Sequence, residues 1–461
     1  MTARVPSASG HLRAFGAVTF LSVAAALASL TAQSQNELPL TPAALGRIWD
    51  AEHVSPPLPP LVDHAEVVAR LAAVVSQAPE LFALERVGES IEGRSINYVR
   101  AGTGPFDVLL WSQMHGDEST ATSALFDLFD YLHRHRQDPA VARILTRLRL
   151  HVVPMLNPDG AERFERRNAQ SIDVNRDALR LQTPEGKVLK TLRDRVMPRV
   201  GFNLHNQSWR TSVGRPPKPA SISLLSVAYD EPRTENEGRR LTKQICAVIR
   251  DAIEPFAADQ IGRYDDEFEV RAFGDNITLW GTPVVLIETG PWPGSEPEAA
   301  LVRLNFVAIV SALDALATGA VDRADPQRYE TLPINESKML SVIVRNATVI
   351  TGRGIPPLVA DIGLLASRRV QVVDGRRELQ TSLTVDDFGD LRTLGALRTI
   401  DATGMTAIPL VDDTLAVGQL VDLPEWKATA TATIAVGQPA RVVLLKPSTE
   451  PGKFAVEAIL R

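Results

Sequence analysis

The sequence of 461 residues is poor in the residues that would cross-link the chain. It contains one cysteine, Cys246, so no disulfide can form within the chain. Aromatic residues make up only 5% of the sequence, and none of its eight histidines lies beyond His205. The net charge is −6, which gives no reason to expect nucleic acid as a partner. Stability must therefore come from apolar cores, and imidazole chemistry must be confined to the first half of the chain.

Long apolar runs are also scarce, and the one that stands out lies at the N-terminus. Arg4 and Arg13 precede an uncharged apolar run over residues 14–30, which gives way to a polar stretch. This pattern is typical of a secretory signal peptide, which we place at residues 1–32. We therefore expect an exported protein, periplasmic or secreted, with no stable membrane span after signal cleavage.

The chain is longer than most single hydrophobic cores, which predicts two folded domains after the signal peptide. Strand and helix patterns alternate over residues 40–320, predicting an α/β domain with a mixed central sheet covered by helices on both faces. Short β-branched runs replace the long helices from about residue 338, predicting a smaller all-β, sandwich-like domain over residues 338–461. The predicted strands are residues 106–114, 148–156, 199–204 and 282–287; the predicted helices are residues 65–77, 120–133, 235–253 and 298–316.

Polar residues follow these apolar strands at the points where the strands are predicted to end. His115 and Glu118 follow the first strand, Asn157 follows the second, His205 the third and Glu288 the fourth. In an open α/β sheet, ligands bind outside the carboxyl ends of the strands. These segments could therefore converge on one site, although they are far apart in the sequence.

His115, Glu118 and His205 have the composition of a catalytic zinc site. The first two stand three residues apart at a strand-to-helix turn, where an imidazole and a carboxylate can reach a common point. Two histidines and one glutamate commonly hold Zn²⁺ and leave the fourth position open to water. The pattern predicts one zinc ion. Taken alone, a His-x-x-Glu pair also occurs at ordinary solvated helix starts.

The part of the chain from about residue 65 to about residue 316 resembles the zinc carboxypeptidase family in the content and order of its motifs. The segment Gly88–Ile96 is similar to the family's lead-in strand, and the His115/Glu118 pair follows it. Next come Asn-Pro-Asp-Gly at residues 157–160 and an arginine segment that ends in the pair Asn175-Arg176.

The resemblance implies a role for each of these residues. Asn175 and Arg176 would bind the terminal carboxylate of a peptide, and Arg166 would polarise the scissile carbonyl, with Arg167 as the alternative. Glu288 would act as general base on a zinc-activated water. A guanidinium suits both arginine roles because it stays charged and binds carboxylates in a fork.

The family also uses a mobile tyrosine before its catalytic glutamate, and Tyr264 lies at a similar distance from Glu288. Tyr229 is the competing candidate. Asn206 follows His205 where the family often has aspartate, which would leave metal binding intact and alter the support of the ligands.

The C-terminal region resembles the β segments of metal-dependent amidohydrolases, without the barrel that carries their chemistry. Residues 342–352 and 360–363 are similar to the opening segment of those enzymes, and residues 398–404 and 434–445 to later strands. Because no histidine follows His205, amidohydrolase chemistry is excluded here. We expect an accessory domain.

These observations predict a zinc metallocarboxypeptidase that hydrolyses C-terminal peptide bonds. One alternative keeps the site and changes the substrate to a cell-wall peptide amide or an N-acyl amino acid. Another is a non-catalytic binding module with a vestigial site. In either enzymatic version, Asn175 and Arg176 favour a substrate that carries a free carboxylate.

Overall fold

The computed structural model describes residues 1–4, 40–294, 296–352, 354–423 and 432–461. Thr41–Arg461 form one compact unit. Most of the predicted signal peptide lies outside the described residues, so that assignment stays a prediction. The division into domains at residues 40–320 and 338–461 likewise stays a prediction.

Ten α-helices lie in the described part of the chain, and each of the four predicted helices is among them. Several of them begin with a proline in the first turn. Others begin with a side-chain cap; at the start of α2 the Asp63 carboxylate accepts the backbone N–H of Glu66. In chain order the helices are α1 Pro42–Glu52, α2 His64–Gln77, α3 Thr120–Arg134, α4 Pro139–Arg147, α5 Pro158–Arg163, α6 Pro184–Val196, α7 Glu237–Ile253, α8 Phe273–Leu279, α9 Pro297–Thr318 and α10 Gln327–Glu330.

The first half of the chain builds an eight-stranded mixed sheet in the order β1-β2-β4-β3-β5-β10-β8-β9. The neighbours β4, β3, β5 and β10 run parallel to one another, whereas β1, β2 and β8 introduce antiparallel pairs. The strands of this sheet are β1 Phe82–Glu89, β2 Ser95–Ala101, β3 Phe106–Ser112, β4 Leu148–Val153, β5 Val200–Asn206, β8 Ile222–Ser226, β9 Ile261–Arg263 and β10 Val284–Thr289.

The ends of the central strands differ from the prediction. His205 and Glu288 are the next-to-last residues of β5 and β10, and do not follow those strands as expected. Strands β3 and β4 end earlier than predicted, at Ser112 and Val153. The strand signal in the sequence comes from apolar residues, so a polar residue that still makes ladder hydrogen bonds is missed.

Helices cover both faces of this sheet, as predicted. On one face Leu109 and Trp111 of β3 pack in a cluster with Leu189 of α6 and Phe273 of α8. Helices α3, α7 and α9 contact other strands of the sheet and one another. Because successive residues of a strand point to opposite faces, nearly every residue of β3, β5 and β10 is buried.

Helix α9 corrects the expectation that no later segment could span a membrane. By length and composition its 22 residues are long and apolar enough to do so. However, 72% of its most apolar window is buried inside the protein, where the helix packs on α1, α3, α4 and α7. The apolar character of α9 is explained by its place in the core.

The C-terminal region is sheet-rich, as predicted, and its strands join in one eight-stranded sheet. The long hairpin of β13 and β14 forms one edge, and β12 pairs with β13, β15 and β16. The strands are β12 Met339–Val349, β13 Leu358–Val373, β14 Arg376–Gly389, β15 Gly395–Asp401, β16 Thr406–Pro409, β17 Leu420–Asp422, β18 Val442–Pro447 and β19 Lys453–Leu460.

A small third sheet connects the two large sheets. It has the order β11-β6-β7, with β6 Thr211–Val213, β7 Lys218–Pro219 and β11 Glu336–Ser337. Because β6 comes shortly after β5 and β11 directly precedes β12, the segment that follows His205 is tied to the start of the C-terminal sheet. The Met339 N–H also donates to the Arg210 carbonyl, at 3.0 Å.

Candidate metal centre

Strand β3 is followed by a tight turn that carries the first two candidate ligands. Gln113 takes a left-handed conformation (φ 51°) and its amide donates to the Gly116 carbonyl, at 2.9 Å. A Cβ on Gly116 would lie 2.0 Å from the Gly160 carbonyl carbon, so only glycine fits where the two turns meet. The turn therefore places His115 and Glu118 against the segment 157–160.

That neighbouring segment, Asn-Pro-Asp-Gly, is structural in the contacts that it makes. Asn157 caps α5 by accepting the Gly160 N–H at 2.9 Å. The fully buried Asp159 accepts hydrogen bonds from Ser90 and Arg94, both at 2.7 Å. The lead-in motif at residues 88–96 and this turn are thus joined by a buried charge-assisted hydrogen bond.

The register of two parallel strands brings the third candidate ligand beside the candidate base. Glu288 of β10 is the direct partner of His205 in β5. Both side chains are buried. Adjacent strands lie about 4.8 Å apart, so this pairing alone fixes the separation of the two backbones.

His115, Glu118 and His205 converge on one point, with their ligand-capable atoms all within 4.8 Å of one another. The Nδ1 atoms of the two imidazoles are 3.1 Å apart. Each imidazole Nδ1 also lies 2.7 Å from an oxygen of Glu118. Two buried nitrogens and a carboxylate facing one point fit the donor set of a zinc ion.

Asp173 stands behind the first of these histidines, and sequence reasoning assigned it no role. Its Oδ1 lies 3.1 Å from His115 Nε2, and its Oδ2 accepts from Arg166 Nε at 3.1 Å. A carboxylate on the outer nitrogen of a metal-binding imidazole fixes its tautomer and orientation. The available signal was its position two residues before Asn175 in the arginine segment.

Asn206 supports the carboxylate of Glu118. Its backbone N–H donates to Glu118 Oε2 at 3.1 Å, and its side-chain amide donates to Thr120 at 2.8 Å. The residue after the third candidate ligand therefore steadies the second one.

The pKa values of the two glutamates at the centre are shifted in opposite directions. Burial alone would raise the pKa of Glu118, but His115 and His205 hold it well below its usual range. Burial, and then the Glu118 carboxylate, raise the pKa of Glu288 well above its usual value. One oxygen of Glu288 has no hydrogen-bond partner. Two carboxylates in one site with pKa values pushed apart suit separate ligand and acid–base roles.

Of the two candidate arginines, Arg166 lies at the centre. Its Nη1 is 3.0 Å from His115 Nδ1 and 3.3 Å from Glu118 Oε1. Arg167 donates to the Ser171 carbonyl at 3.0 Å and does not line the cavity. Asp173 bonds both the His115 imidazole and the Arg166 guanidinium, which holds them side by side.

The remaining candidates line a cavity of about 850 Å³ that opens beside the centre. Asn175 uses its amide oxygen to accept the Phe273 N–H at 2.9 Å, which leaves its NH₂ group as the donor for a ligand. Arg176 lies 3.4 Å from Glu269 with a side chain that is 36% exposed. Tyr264 lines the same cavity, and the charge of Glu288, followed by burial, raises the pKa of its phenol to about 12. Tyr229 does not line it.

The cavity has further acidic residues that the sequence analysis did not assign to a site, two of them in the irregular stretch between β9 and α8 and one in the first turn of α8. Glu267, Glu269 and Asp275 line the wall. Burial raises the pKa of Asp275 to about 7, and its Oδ1 accepts the Glu269 N–H at 2.9 Å. Residues in loops give no periodic signal, so only the fold assigns them to a site.

The family model described as zinc carboxypeptidase matches residues 67–257. The match covers less than half of the chain, and this part of it is similar to zinc carboxypeptidases. Carboxypeptidase M of Mus musculus is 29% identical over 126 residues, which are 24% of this chain and 28% of that protein. Carboxypeptidase SOL1 of Arabidopsis thaliana is 30% identical over 129 residues, which are 24% of this chain and 26% of that protein. The chain thus matches little more than a quarter of the length of these curated relatives.

Solved structures of metallo-carboxypeptidases are also similar to the chain at low identity. A metallo-carboxypeptidase from Burkholderia cenocepacia is 21% identical with a TM-score of 0.43, covering 54% of this chain and 69% of that one. A metallo-carboxypeptidase from Pseudomonas aeruginosa, in complex with (2-guanidinoethylmercapto)succinic acid, is 19% identical with a TM-score of 0.44. That match covers 54% of this chain and 68% of that one.

Proposed function

We propose that the protein is an exported zinc metallocarboxypeptidase that hydrolyses the C-terminal peptide bond of peptide substrates. The observation that carries the proposal is the convergence of His115, Glu118 and His205 beside the buried Glu288. The family match over residues 67–257 supports it. Zinc held by the three ligands would lower the pKa of a bound water and polarise the substrate carbonyl.

Glu288 is the proposed general base. It takes a proton from the attacking water and passes it to the leaving amine. Burial raises the pKa of this carboxylate and so makes it a stronger base than an exposed glutamate. Its unpartnered oxygen leaves one acceptor position for the proton.

Arg166 is proposed to stabilise the negative charge that develops on the carbonyl oxygen. Its guanidinium is already held in place by Asp173, through an ion pair at 3.0 Å and a hydrogen bond at 3.1 Å. A donor that is fixed before the reaction stabilises the transition state without reorganisation. Arg176 and the NH₂ group of Asn175 bind the free carboxylate, and Tyr264 covers the bound terminal residue.

Peptide-library digestion with mass-spectrometric detection tests the activity and identifies the preferred terminal residue. We expect stepwise loss of C-terminal residues, abolished by a zinc chelator. Cleavage only at internal bonds would refute the exopeptidase assignment. Cleavage of N-acyl amino acids or cell-wall peptide amides in place of peptides would instead select the amidase alternative.

The variant Glu288→Gln tests the mechanism, because it keeps the shape of the side chain and removes the base. We expect hydrolysis to fall roughly 10²–10⁴-fold while the zinc content stays at one ion per chain. Glu457→Gln, at an exposed ion pair of the C-terminal sheet, is the matched control. Full activity in Glu288→Gln would overturn the mechanism. Protein that neither contains nor takes up zinc would support a non-catalytic binding module.

A further inference from the structure

A second cavity of about 510 Å³ adjoins the candidate metal centre on the side away from the carboxylate-binding residues. Glu118, Arg166 and Asn206 line both this cavity and the larger one. Asn175, Arg176 and Tyr264 line only the larger one. The two cavities therefore meet at the metal ligands and extend from them through different residues.

The wall of the second cavity comes from both halves of the chain. Trp209 and Leu301 belong to the α/β region, and Leu365, Ala366 and Arg368 belong to β13 of the C-terminal sheet. The hairpin of β13 and β14 thus supplies one side of a cavity whose other side carries the candidate zinc ligand Glu118.

Contacts along its length hold this hairpin against the α/β region. Arg368 pairs with the buried Glu298 of α9, and its guanidinium lies 4.3 Å from the centre of the Trp209 ring. Near the hairpin tip, Arg377 donates to the Glu162 and Ala161 carbonyls at 2.7 and 3.2 Å. Cations at the C-terminal end of a helix are favourable, and these two carbonyls belong to α5.

Near the base of the hairpin, Asp386 of β14 accepts from Arg210 at 2.6 Å. Arg210 comes shortly after β5, which ends beside His205. Three separate contacts therefore fix the hairpin, and the cavity wall that it forms is part of the folded structure.

The arginines of the wall are paired with carboxylates of the protein, whereas Asp117 Oδ1 is buried without a hydrogen-bond partner. Glu298 neutralises Arg368 and Asp386 neutralises Arg210. Trp209, Leu301, Leu365 and Ala366 give the cavity an apolar side, which faces polar groups that include Thr120 and Gln207. The volume lies within the range of roughly 300–1,000 Å³ found for sites that hold small ligands.

We propose that this cavity binds the one or two substrate residues that precede the scissile bond, with a preference for apolar or aromatic side chains. The β13–β14 hairpin thereby makes the C-terminal region a determinant of substrate specificity. The inference rests on the proposed function, because the carboxylate-binding residues place the leaving residue in the larger cavity. The acyl side of the scissile bond must then extend toward the hairpin.

The test compares the binding of N-acetyl-Phe-Phe-Gly and N-acetyl-Gly to the zinc-loaded Glu288→Gln protein by titration calorimetry. Glycine fits any terminal pocket, so the difference between the ligands reports the second cavity. We expect the longer ligand to bind at least tenfold more tightly. Ala366→Phe, which fills the cavity from the hairpin, should abolish most of that advantage.

Val372→Phe is the matched control, because Val372 lies on the same strand, is 71% exposed and does not line the cavity. It should keep the full advantage of the longer ligand. Trp209→Ala removes the aromatic ring from the opposite wall and should also abolish most of the affinity advantage of the longer ligand. This variant replaces Ala366→Phe in the test if Ala366→Phe fails to fold. An equal affinity of the parent for both ligands, or an advantage unchanged in Trp209→Ala and Ala366→Phe, would overturn the proposal.

Hydrolysis by the wild-type protein separates this inference from the proposed function. If no peptide is cleaved but the binding advantage depends on Ala366 and Trp209, the cavity is confirmed and the carboxypeptidase activity is refuted. If peptides are cleaved without any such dependence, the activity stands and the role of the hairpin is wrong.

Discussion

The α/β region contains many buried polar residues, whereas the C-terminal sheet contains very few. Around the metal centre, His205 Nε2, Glu288 Oε2 and Asn203 Oδ1 are buried without a hydrogen-bond partner. Of the described residues from 339 onward, only Ser341 and Asp361 are buried and polar. Asp361 accepts from Arg345 at 2.6 Å and from the Asn346 N–H at 3.0 Å.

Buried polar atoms are normally paired, so unpaired ones need an explanation. In this protein some of them, including His205 Nε2 and Glu288 Oε2, lie where a metal ion and a substrate are proposed to bind, while others, such as Glu185 Oε1 and Arg239 Nε, lie elsewhere in the α/β region. In the C-terminal sheet the buried Asp361 carboxylate is satisfied internally, and Arg377 Nε is the one unpaired buried side-chain atom among the described residues from 339 onward. The comparison predicts that substitutions at the candidate metal centre change chemistry, and that substitutions in the interior of the C-terminal sheet, away from the cavity wall, change stability.

The largest effect is expected from His205→Ala. Removing one of three ligands from a buried site leaves an incomplete donor set, so zinc binding and activity should be lost together, the activity by roughly 10³-fold or more. Metal analysis of the purified protein and peptide hydrolysis measure the two losses. His133→Ala, on α3 outside the centre, is the control. Zinc bound stoichiometrically by His205→Ala would contradict the assignment of this ligand.

Asp361→Ala should have the next largest effect, and on stability alone. The substitution leaves the Arg345 guanidinium and the Asn346 N–H without their acceptor, which costs roughly 3 kcal/mol of unfolding free energy. Denaturant unfolding measures this loss. The kcat/KM of the folded fraction should be unchanged, and a large fall in kcat/KM without loss of stability would break the distinction between the regions.

Arg176→Ala should weaken the binding of the substrate carboxylate. A hydrogen bond to a charged group contributes roughly 1.5–3 kcal/mol, so kcat/KM should fall roughly 10–150-fold. Arg180→Ala, four residues further along and not lining the cavity, is the matched control. The loss should vanish for substrates whose terminal carboxylate is replaced by an amide, and an equal loss for both substrates would place Arg176 elsewhere in the reaction.

Much of the site could be predicted from the sequence because its residues stand at the ends of apolar strands. The central strands and four helices follow from apolar periodicity, whereas the candidate ligands His115, Glu118 and His205 follow from residue chemistry together with the resemblance to zinc carboxypeptidases. The register that pairs Glu288 with His205 could not be predicted, because pairing depends on contacts between strands that are distant in sequence.

The same limit explains what was missed elsewhere. Asp173 acquires its position behind His115 only when two loops separated by 58 residues come together. The cavity wall formed by Leu365 and Arg368 arises from the packing of the hairpin on the α/β region. Tertiary contacts of this kind leave no local pattern in the chain. Glycines at positions 116 and 160 indicate that another part of the backbone lies close, but the sequence does not show which part.

The pH dependence of activity is the smallest effect, because no residue is changed. A general base works only when ionised, so kcat/KM should be high above the pKa of Glu288 and fall as the pH drops through it. Burial and the Glu118 carboxylate raise that pKa above the usual value of 4.5, so the acid limb should lie above pH 4.5. Zinc content measured over the same range distinguishes protonation of the base from loss of the metal. An acid limb at or below pH 4.5 with zinc retained would show that Glu288 is not the titrating group. It would also refute the claim that the pKa values of Glu118 and Glu288 are shifted in opposite directions.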